Sequence, residues 1–197
     1  DSVASRGLGD VYKRQVLDEG DVAYRASRGN FGLVWVQSKG MGLPRYGVWT
    51  MTSASGWPRL AAQLLEETGV DVHLEQRGGL HALLSDEEME ARATFMQTLL
   101  AQPGMAQYDW KLLDRAEVAD LVPGIGPEVR GATWTPVDGI ANPLKLLRAL
   151  HMSFAQRVVD YLPRRPARSI KQRKGVFDID TPAGTVRARK VCLLYTS

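Results

Sequence analysis

The feature that most constrains this fold lies near the start of the chain, where a short apolar run ends on two carboxylates. Val16 and Leu17 lead directly into Asp18 and Glu19, and the chain then continues as "GDVAYRASRGNFG" to Gly32. A β-strand that ends on an acidic side chain is typical of dinucleotide-binding folds, in which the carboxylate binds ribose hydroxyls. This stretch therefore predicts an α/β fold of the dinucleotide-binding type.

The residues before this strand do not supply the glycine-rich turn that such a fold uses. Gly7 and Gly9 begin a G-x-G pattern, but the third glycine of the fingerprint would fall at Tyr12, and no strand precedes Gly7. Asp18 follows Gly7 by only 11 residues, whereas the acidic residue should come about 20 residues on, after a whole helix. We therefore predict no phosphate-binding loop in residues 1–15.

Both ends of the chain differ from its middle and resemble translated sequencing adapters. They read "DSVASRGLGDVYKRQ" at residues 1–15 and "CLLYTS" at residues 192–197. We expect these two segments to be non-native, and we expect residues 16–191 to come from a longer protein.

Composition favours an ordinary globular protein and predicts a cytoplasmic location. The 197 residues are 44% hydrophobic and 24% charged, and no apolar stretch approaches the roughly 18 residues of a membrane-spanning helix. The single cysteine, Cys192, excludes an intramolecular disulfide and fits a reducing compartment. The three histidines, His73, His81 and His151, have no metal-ligand spacing, so we predict no metal site.

The formal charge of +3 raises the possibility of nucleic-acid binding, and the basic residues do concentrate in one run. Six of the eleven residues from Arg164 to Lys174 are Lys or Arg. The run has no aromatic residues for base stacking, and no recognised motif presents it. We predict a loop and a solvated strand edge without nucleic-acid binding, and we keep a basic interaction module as an alternative.

Capping signals predict the helices. A helical region lies within residues 43–69, with Leu60, Leu64 and Leu65 at helical spacing and Gly69 as the terminating glycine. Further helix starts are predicted at Ser85 with Glu88, at Asp114 with Glu117, and at Asn142 with Pro143.

Alternating apolar residues predict the strands. Residues 70–76 and 79–85, separated by Arg77 and Gly78, form a predicted hairpin with one buried face. A further strand is predicted over residues 129–136, and a meander of three strands over residues 167–191. No repeat or linker divides the chain, so a second domain has to be interwoven with the first.

Several segments follow one another in an order that a known family shares. They are "VLDEGDVAYRASRGNFGLVW", "GGLHALLSDEE", "LLDRAEVADLVPGI", "DGIANPLKLLRAL" and "TPAGTVRARKV". In this order they resemble the FAD-dependent amine and amino-acid oxidoreductases, the group of D-amino-acid oxidase, glycine oxidase and sarcosine oxidase. The resemblance implies a partial Rossmann-like FAD-binding domain (residues 16–68 and 142–191) interwoven with an antiparallel substrate-binding domain (residues 69–141).

The resemblance also implies which residues bind FAD. Asp18 aligns with the carboxylate that accepts hydrogen bonds from the adenosine ribose, and its neighbour Glu19 remains the substitute for that role. A helix cap or a solvated acid is the alternative at this position. The resemblance places Ser27, Arg28, Gly29 and Asn30 under the pyrophosphate and the flavin ring, although a plain polar loop has a similar composition, and it places Ala167 at the adenine.

The implied reaction is oxidation of the C–N bond of a small amino acid or amine, with hydride transfer to the flavin. The resemblance places the substrate-anchoring groups largely in sequence beyond Val191, so we name no catalytic residue. The oligomeric state is left open. Another flavoenzyme of the same fold, acting on 2-hydroxy acids or glycerol phosphate, and a nucleotide-binding protein without chemistry both remain alternatives.

We predict that the 197-residue chain by itself binds FAD poorly and is inactive. The expected reason is that the pyrophosphate turn and the return of the chain to the flavin are not among its motifs. Titration of the purified chain with FAD, followed by flavin fluorescence, measures this directly. Tight binding of one FAD per chain would contradict the prediction.

Overall fold

The computed structural model describes residues 14–20 and 29–194, which form mixed helix and strand structure, as predicted. The helices are α1 (Pro44–Thr68), α2 (Asp86–Ala101), α3 (Arg115–Leu121) and α4 (Pro143–Gln156). The strands are β1 (Arg14–Leu17), β2 (Leu33–Val34), β3 (Gly79–Leu83), β4 (Lys111–Asp114), β5 (Gly131–Thr135), β6 (Gly139–Ile140), β7 (Val159–Leu162), β8 (Ser169–Arg173), β9 (Val176–Thr181) and β10 (Gly184–Ala188).

These elements belong to two compact units, which we describe separately. The central unit is Gly29–Ala149, and the terminal unit combines Asp1–Arg28 with Leu150–Ser197. The predicted cofactor-binding and substrate-binding parts are defined by what they bind. The compact units are defined by internal packing, so they do not test that prediction. Among the described residues, no helix has both the length and the apolar character needed to cross a membrane.

The terminal unit contains one parallel strand pair and one antiparallel sheet. Strand β1 pairs in parallel with β7, with Arg14 opposite Val159 and Leu17 opposite Leu162. Strands β8, β9 and β10 form an antiparallel sheet in the order β10-β9-β8, which confirms the predicted meander. Lys174, with a φ of 49°, and Gly175, with a φ of 79°, form the turn between β8 and β9.

The central unit is built on the antiparallel sheet β3-β5-β4 and on the separate antiparallel pair β2–β6. Strand β5 is the middle strand, and Ala132, Thr133 and Thr135 are completely buried on it. Helices α2 and α3 pack on this sheet. The sheet therefore carries one apolar cluster of the central unit, around Leu113, Val118, Val129 and Ala132.

The predicted hairpin between residues 70–76 and 79–85 is wrong. Strand β3 pairs with β5, and residues 70–76 instead make a single bridge from Glu75 to Ile140 of β6. The predicted alternation is nevertheless present, because Val72 is buried while Asp71 and His73 are exposed. Both partner strands come much later in the chain, so a pattern confined to residues 70–85 could not identify them.

The predicted helix ends are confirmed with one difference. Gly69 closes α1 with a φ of 69°, and its N–H donates to the Leu65 carbonyl oxygen. The Ser85 hydroxyl accepts from the Glu88 N–H at 3.2 Å, but the Glu88 carboxylate accepts from the Leu84 N–H instead of the Ser85 N–H.

The other two helix starts match the sequence pattern. Asp114 and Glu117 form a complete capping box at the start of α3. The Asn142 side-chain oxygen accepts from the N–H groups of Leu144 and Lys145 at the start of α4. Local sequence therefore predicts where these helices begin.

Tyr108 lies between two apolar clusters of the central unit. Its ring packs against the cluster around Val34 and Val36 and against the cluster around Met96 and Leu99. The buried Tyr108 hydroxyl has no hydrogen-bond partner among the described residues. Burial, with a further contribution from the charge of Asp138, raises the pKa of Tyr108 to about 12. A buried hydroxyl without a partner lowers the stability of the fold.

We predict that Tyr108→Phe raises the free energy of unfolding by about 1 kcal/mol, because it removes an unsatisfied buried hydroxyl. Thr135→Val is the matched control, since the Thr135 hydroxyl is also buried but donates to the Asp109 carbonyl oxygen at 2.8 Å. The control should lose about 1 kcal/mol. Urea unfolding measures both, and equal destabilisation by the two substitutions would show that the Tyr108 hydroxyl has a partner such as ordered water.

Candidate functional site

Asp18 lies immediately after β1, at the carboxyl end of the parallel pair. Its N–H donates to the Leu162 carbonyl oxygen at 3.1 Å, which extends the pairing of β1 with β7 by one residue. Its two carboxylate oxygens accept from the Gly20 N–H at 3.2 Å and from the Tyr161 hydroxyl at 2.9 Å. Ligands of parallel sheets bind at this end of the strands, so the position matches the predicted one.

Two other candidate residues belong to the same unit as Asp18. Glu19 is its exposed neighbour. Ala167 is exposed in the connection between β7 and β8. The backbone on either side of Ala167 is anchored, because the Arg165 N–H donates to the Asp18 carbonyl oxygen at 2.7 Å and the Arg168 N–H donates to the Asp180 carbonyl oxygen. The structure thus brings the segment of Ala167 to Asp18.

The candidate loop leads into β2 of the central unit. Ser27 and Arg28 lie outside the described residues, whereas Gly29 and Asn30 are described and exposed. The Asn30 side-chain oxygen accepts from the Gly32 N–H at 2.8 Å and forms a tight turn. Gly32 has a φ of 75°, and a Cβ there would collide with the Ala141 carbonyl oxygen. Only glycine fits at that position.

The end of this loop presents apolar side chains to solvent. Leu33 and Ile140 are directly opposite each other in the β2–β6 pair and share a face. They are 55% and 50% exposed, and the neighbouring Phe31 is 88% exposed. A concave surface of about 310 Å³, lined in part by Phe31, Glu75 and Ile140, lies beside them. Contiguous exposed apolar surface of this kind is typical of a binding site or an interface.

A buried polar network lies directly behind the β2–β6 pair. The Asp138 carboxylate, which is fully buried, accepts from the Val36 N–H at 2.5 Å and from the Gln37 amide at 3.0 Å. The Gln37 amide also donates to the Gly79 carbonyl oxygen, and its oxygen accepts from Arg92 and from the Thr133 hydroxyl. Both donors and both acceptor positions of the Gln37 side-chain amide are therefore satisfied.

Arg92 completes the network from helix α2. Its guanidinium donates to the Thr133 hydroxyl at 3.1 Å, to the Ser38 hydroxyl at 2.8 Å and to the Gln37 side-chain oxygen at 3.1 Å. The side chain is only 8% exposed. The Gln37 amide thus lies between the positive Arg92 and the carboxylate of Asp138 and hydrogen-bonds to both.

Burial governs the electrostatics of this network. It raises the pKa of the Asp138 carboxyl, and the hydrogen bonds from Val36 and Gln37 and the charge of Arg92 offset part of that rise. Burial likewise lowers the pKa of Arg92, against the opposing effects of Tyr108 and Asp138. The donors on both oxygens of Asp138 suit the ionised carboxylate, because neither oxygen faces an acceptor.

The sequence interpretation did not identify Asp138, Gln37 or Arg92. One signal was available for Arg92, since it lies on the same face of α2 as the buried Met96 and Leu99. A charge on the apolar face of a helix is rarely buried without partners. The identity of those partners was not accessible, because Gln37 is 55 residues and Thr133 is 41 residues away from Arg92.

The residues that the structure describes fit an FAD cofactor at the points where they can be tested. A carboxylate at the carboxyl end of a parallel strand is the group that binds ribose hydroxyls. Asp18 lies at that position, and the Gly20 N–H and the Tyr161 hydroxyl orient its carboxylate.

Comparison with known proteins identifies the family. Residues 4–194 match the family described as FAD dependent oxidoreductase (DAO). The chain is 39% identical over 181 residues to a protein from Agrobacterium tumefaciens (strain Ach5) that is named as a subunit of opine oxidase, covering 92% of this chain and 49% of that protein. A protein of the same name from Rhizobium meliloti is 36% identical over 178 residues, covering 90% of this chain and 48% of that protein.

A solved structure has a fold similar to that of this chain. The glycine oxidase from Geobacillus kaustophilus superimposes with a TM-score of 0.77 at 23% identity, covering 89% of this chain and 46% of that chain. The chain spans about half the length of the curated relatives that it matches. The resemblance drawn from the motifs is thus confirmed, FAD is the cofactor of the family, and the chain belongs to the FAD-dependent oxidoreductases of the DAO family.

Proposed function

We propose that the protein containing this chain oxidises the C–N bond of a small amino acid or secondary amine with FAD. One observation carries the proposal: the family match extends over residues 4–194 and includes the carboxylate at the end of β1. Asp18 would bind the ribose of the cofactor. Ser27, Arg28, Gly29 and Asn30 would lie along its pyrophosphate and ring, and the backbone at Ala167 would contact the adenine.

When bound, FAD would supply the redox chemistry, and the residues of this chain would contribute placement. The Tyr161 hydroxyl and the Gly20 N–H hold the two oxygens of Asp18, so the carboxylate is oriented before a ligand binds. The exposed Leu33 and Ile140 would provide an apolar surface for a flat ring. We keep residues 16–68 and 142–191 as the part that would serve the cofactor and residues 69–141 as the part that would serve the substrate, with Ile140 at the boundary between them.

Opines are the substrates to test first. The two relatives at 39% and 36% identity are both named as a subunit of opine oxidase, and the solved structure with a similar fold is named a glycine oxidase. Because the relatives are named as one subunit of an enzyme, a second polypeptide is also part of the test. We keep the cytoplasmic location as part of this proposal.

Expression of the complete open reading frame that contains this chain, alone and together with a candidate second subunit, tests the proposal. The purified protein should carry a flavin spectrum, and that spectrum should bleach anaerobically when an opine, glycine, proline or a D-amino acid is added. Bleaching by 2-hydroxy acids or glycerol phosphate alone would assign the protein to another reaction of the same fold. A colourless protein that FAD does not affect would overturn the proposal.

The role of Asp18 is tested in the same protein against its neighbour. Asp18→Asn removes a charged acceptor from the ribose, so the dissociation constant for FAD should rise about tenfold, which corresponds to about 1.4 kcal/mol. Glu19→Gln is the matched substitution one residue on. Fluorescence titration with FAD separates the two, and a larger effect of Glu19→Gln would assign the ribose to Glu19.

A further inference from the structure

A short segment that carries backbone strain follows the candidate cofactor loop and strand β2. Residues 36–39 form a tight turn, in which the Lys39 N–H donates to the Val36 carbonyl oxygen at 3.1 Å. Ser38 occupies the third position of this turn with a φ of 78°, a value that favours glycine. A strained non-glycine residue persists only where surrounding contacts fix it, and such residues cluster at functional sites.

The contacts that fix this turn all come from the buried network. Arg92 donates to the Ser38 hydroxyl, and the Gln37 side chain is held from both of its ends. The Val36 N–H donates to Asp138. Each residue of the turn from Val36 to Ser38 is therefore tied to an element that lies far away in the sequence.

Asp138 directly precedes β6, the second strand of the β2–β6 pair. The residue directly after it, Gly139, pairs with Val34, and Ile140 pairs with Leu33. The Ala141 N–H then donates to the Gly32 carbonyl oxygen at 2.8 Å. The backbone from Gly32 to Val36 is thus fastened along its length to residues 138–141, and Asp138 makes the contact at its buried end.

We infer that Asp138 is a positioning residue for the cofactor: through the Val36 N–H it holds the backbone of residues 32–36, which follows the candidate loop, in place against strand β6. Gln37 supports this role by donating to the second carboxylate oxygen, and Arg92 supports it by compensating the buried negative charge. The inference rests on the proposed function, in which the loop that ends at Asn30 binds the cofactor. It assigns a role to residues that touch neither substrate nor flavin.

Asp138→Asn in the complete protein is the test. The substitution preserves size and leaves one oxygen for the Val36 N–H, but it places an amide against the Gln37 amide, so two donors face each other. We expect the dissociation constant for FAD to rise about tenfold. We also expect a changed visible circular dichroism spectrum of the bound flavin and faster hydrogen exchange over residues 29–37.

Thr135→Val is the matched control, because it removes a buried hydrogen bond on β5 that is not part of the network. It should lower stability but leave FAD affinity, flavin dichroism and exchange over residues 29–37 unchanged. Equal effects of the two substitutions would overturn the inference, since general destabilisation would then explain both. Wild-type values in a folded Asp138→Asn protein would overturn it as well.

A second variant covers the case in which Asp138→Asn does not fold. Gln37→Met removes the donor to the second oxygen of Asp138 and leaves the bond to the Val36 N–H in place. Because the Gln37 amide orients the carboxylate, its loss should loosen the Val36 contact, so we expect faster hydrogen exchange of the Val36 N–H together with weaker FAD binding. Any other result in the folded variant, including a change in only one of the two measurements, would overturn the inference. If the wild-type protein carries no flavin, the proposed function fails together with the cofactor role of Asp138, while hydrogen exchange alone decides whether Asp138 anchors the segment.

Discussion

The hydrogen bond from the Val36 N–H to the buried Asp138 carboxylate is the contact on which the arrangement of the central unit depends. It joins the segment just after β2 to the residue just before β6, and both strands have two residues. Strands this short have too few ladder hydrogen bonds to hold their register alone. Asp138 supplies the missing constraint and connects it, through Gln37 and Thr133, to the middle strand of the larger sheet.

This arrangement places charge in the interior, which costs free energy unless the charge is compensated. The compensation is indirect, because an amide connects the carboxylate to the guanidinium. Both ends of the Gln37 amide are used, so the network has a single hydrogen-bond arrangement. A network of this kind contributes little net stability, but it specifies one geometry. For the segment that follows the candidate cofactor loop, geometry is the property that matters.

The features that the sequence predicted are those whose cause is local. Gly69 ends α1, and Asp114 and Glu117 form their capping box. Turns at residues 174–175 and 182–183 separate the strands of the meander. Each of these features depends on residues within about four positions. Asp18 was also found from its position at a strand end. Strand β7, its parallel partner, was not predicted, because a four-residue strand directly after a helix has no pattern of its own.

The sequence by itself determined the fold class, the helix boundaries, the family and the candidate residues around Asp18, since short motifs in a fixed order carry that information. Only the tertiary structure decided the partners of β3, of Glu75 and of Asp138. It also decided that Ala167 lies on a segment anchored beside Asp18. The physical reason is that a buried hydrogen bond is satisfied by whichever group the fold brings within about 3 Å, and sequence separation does not limit that choice.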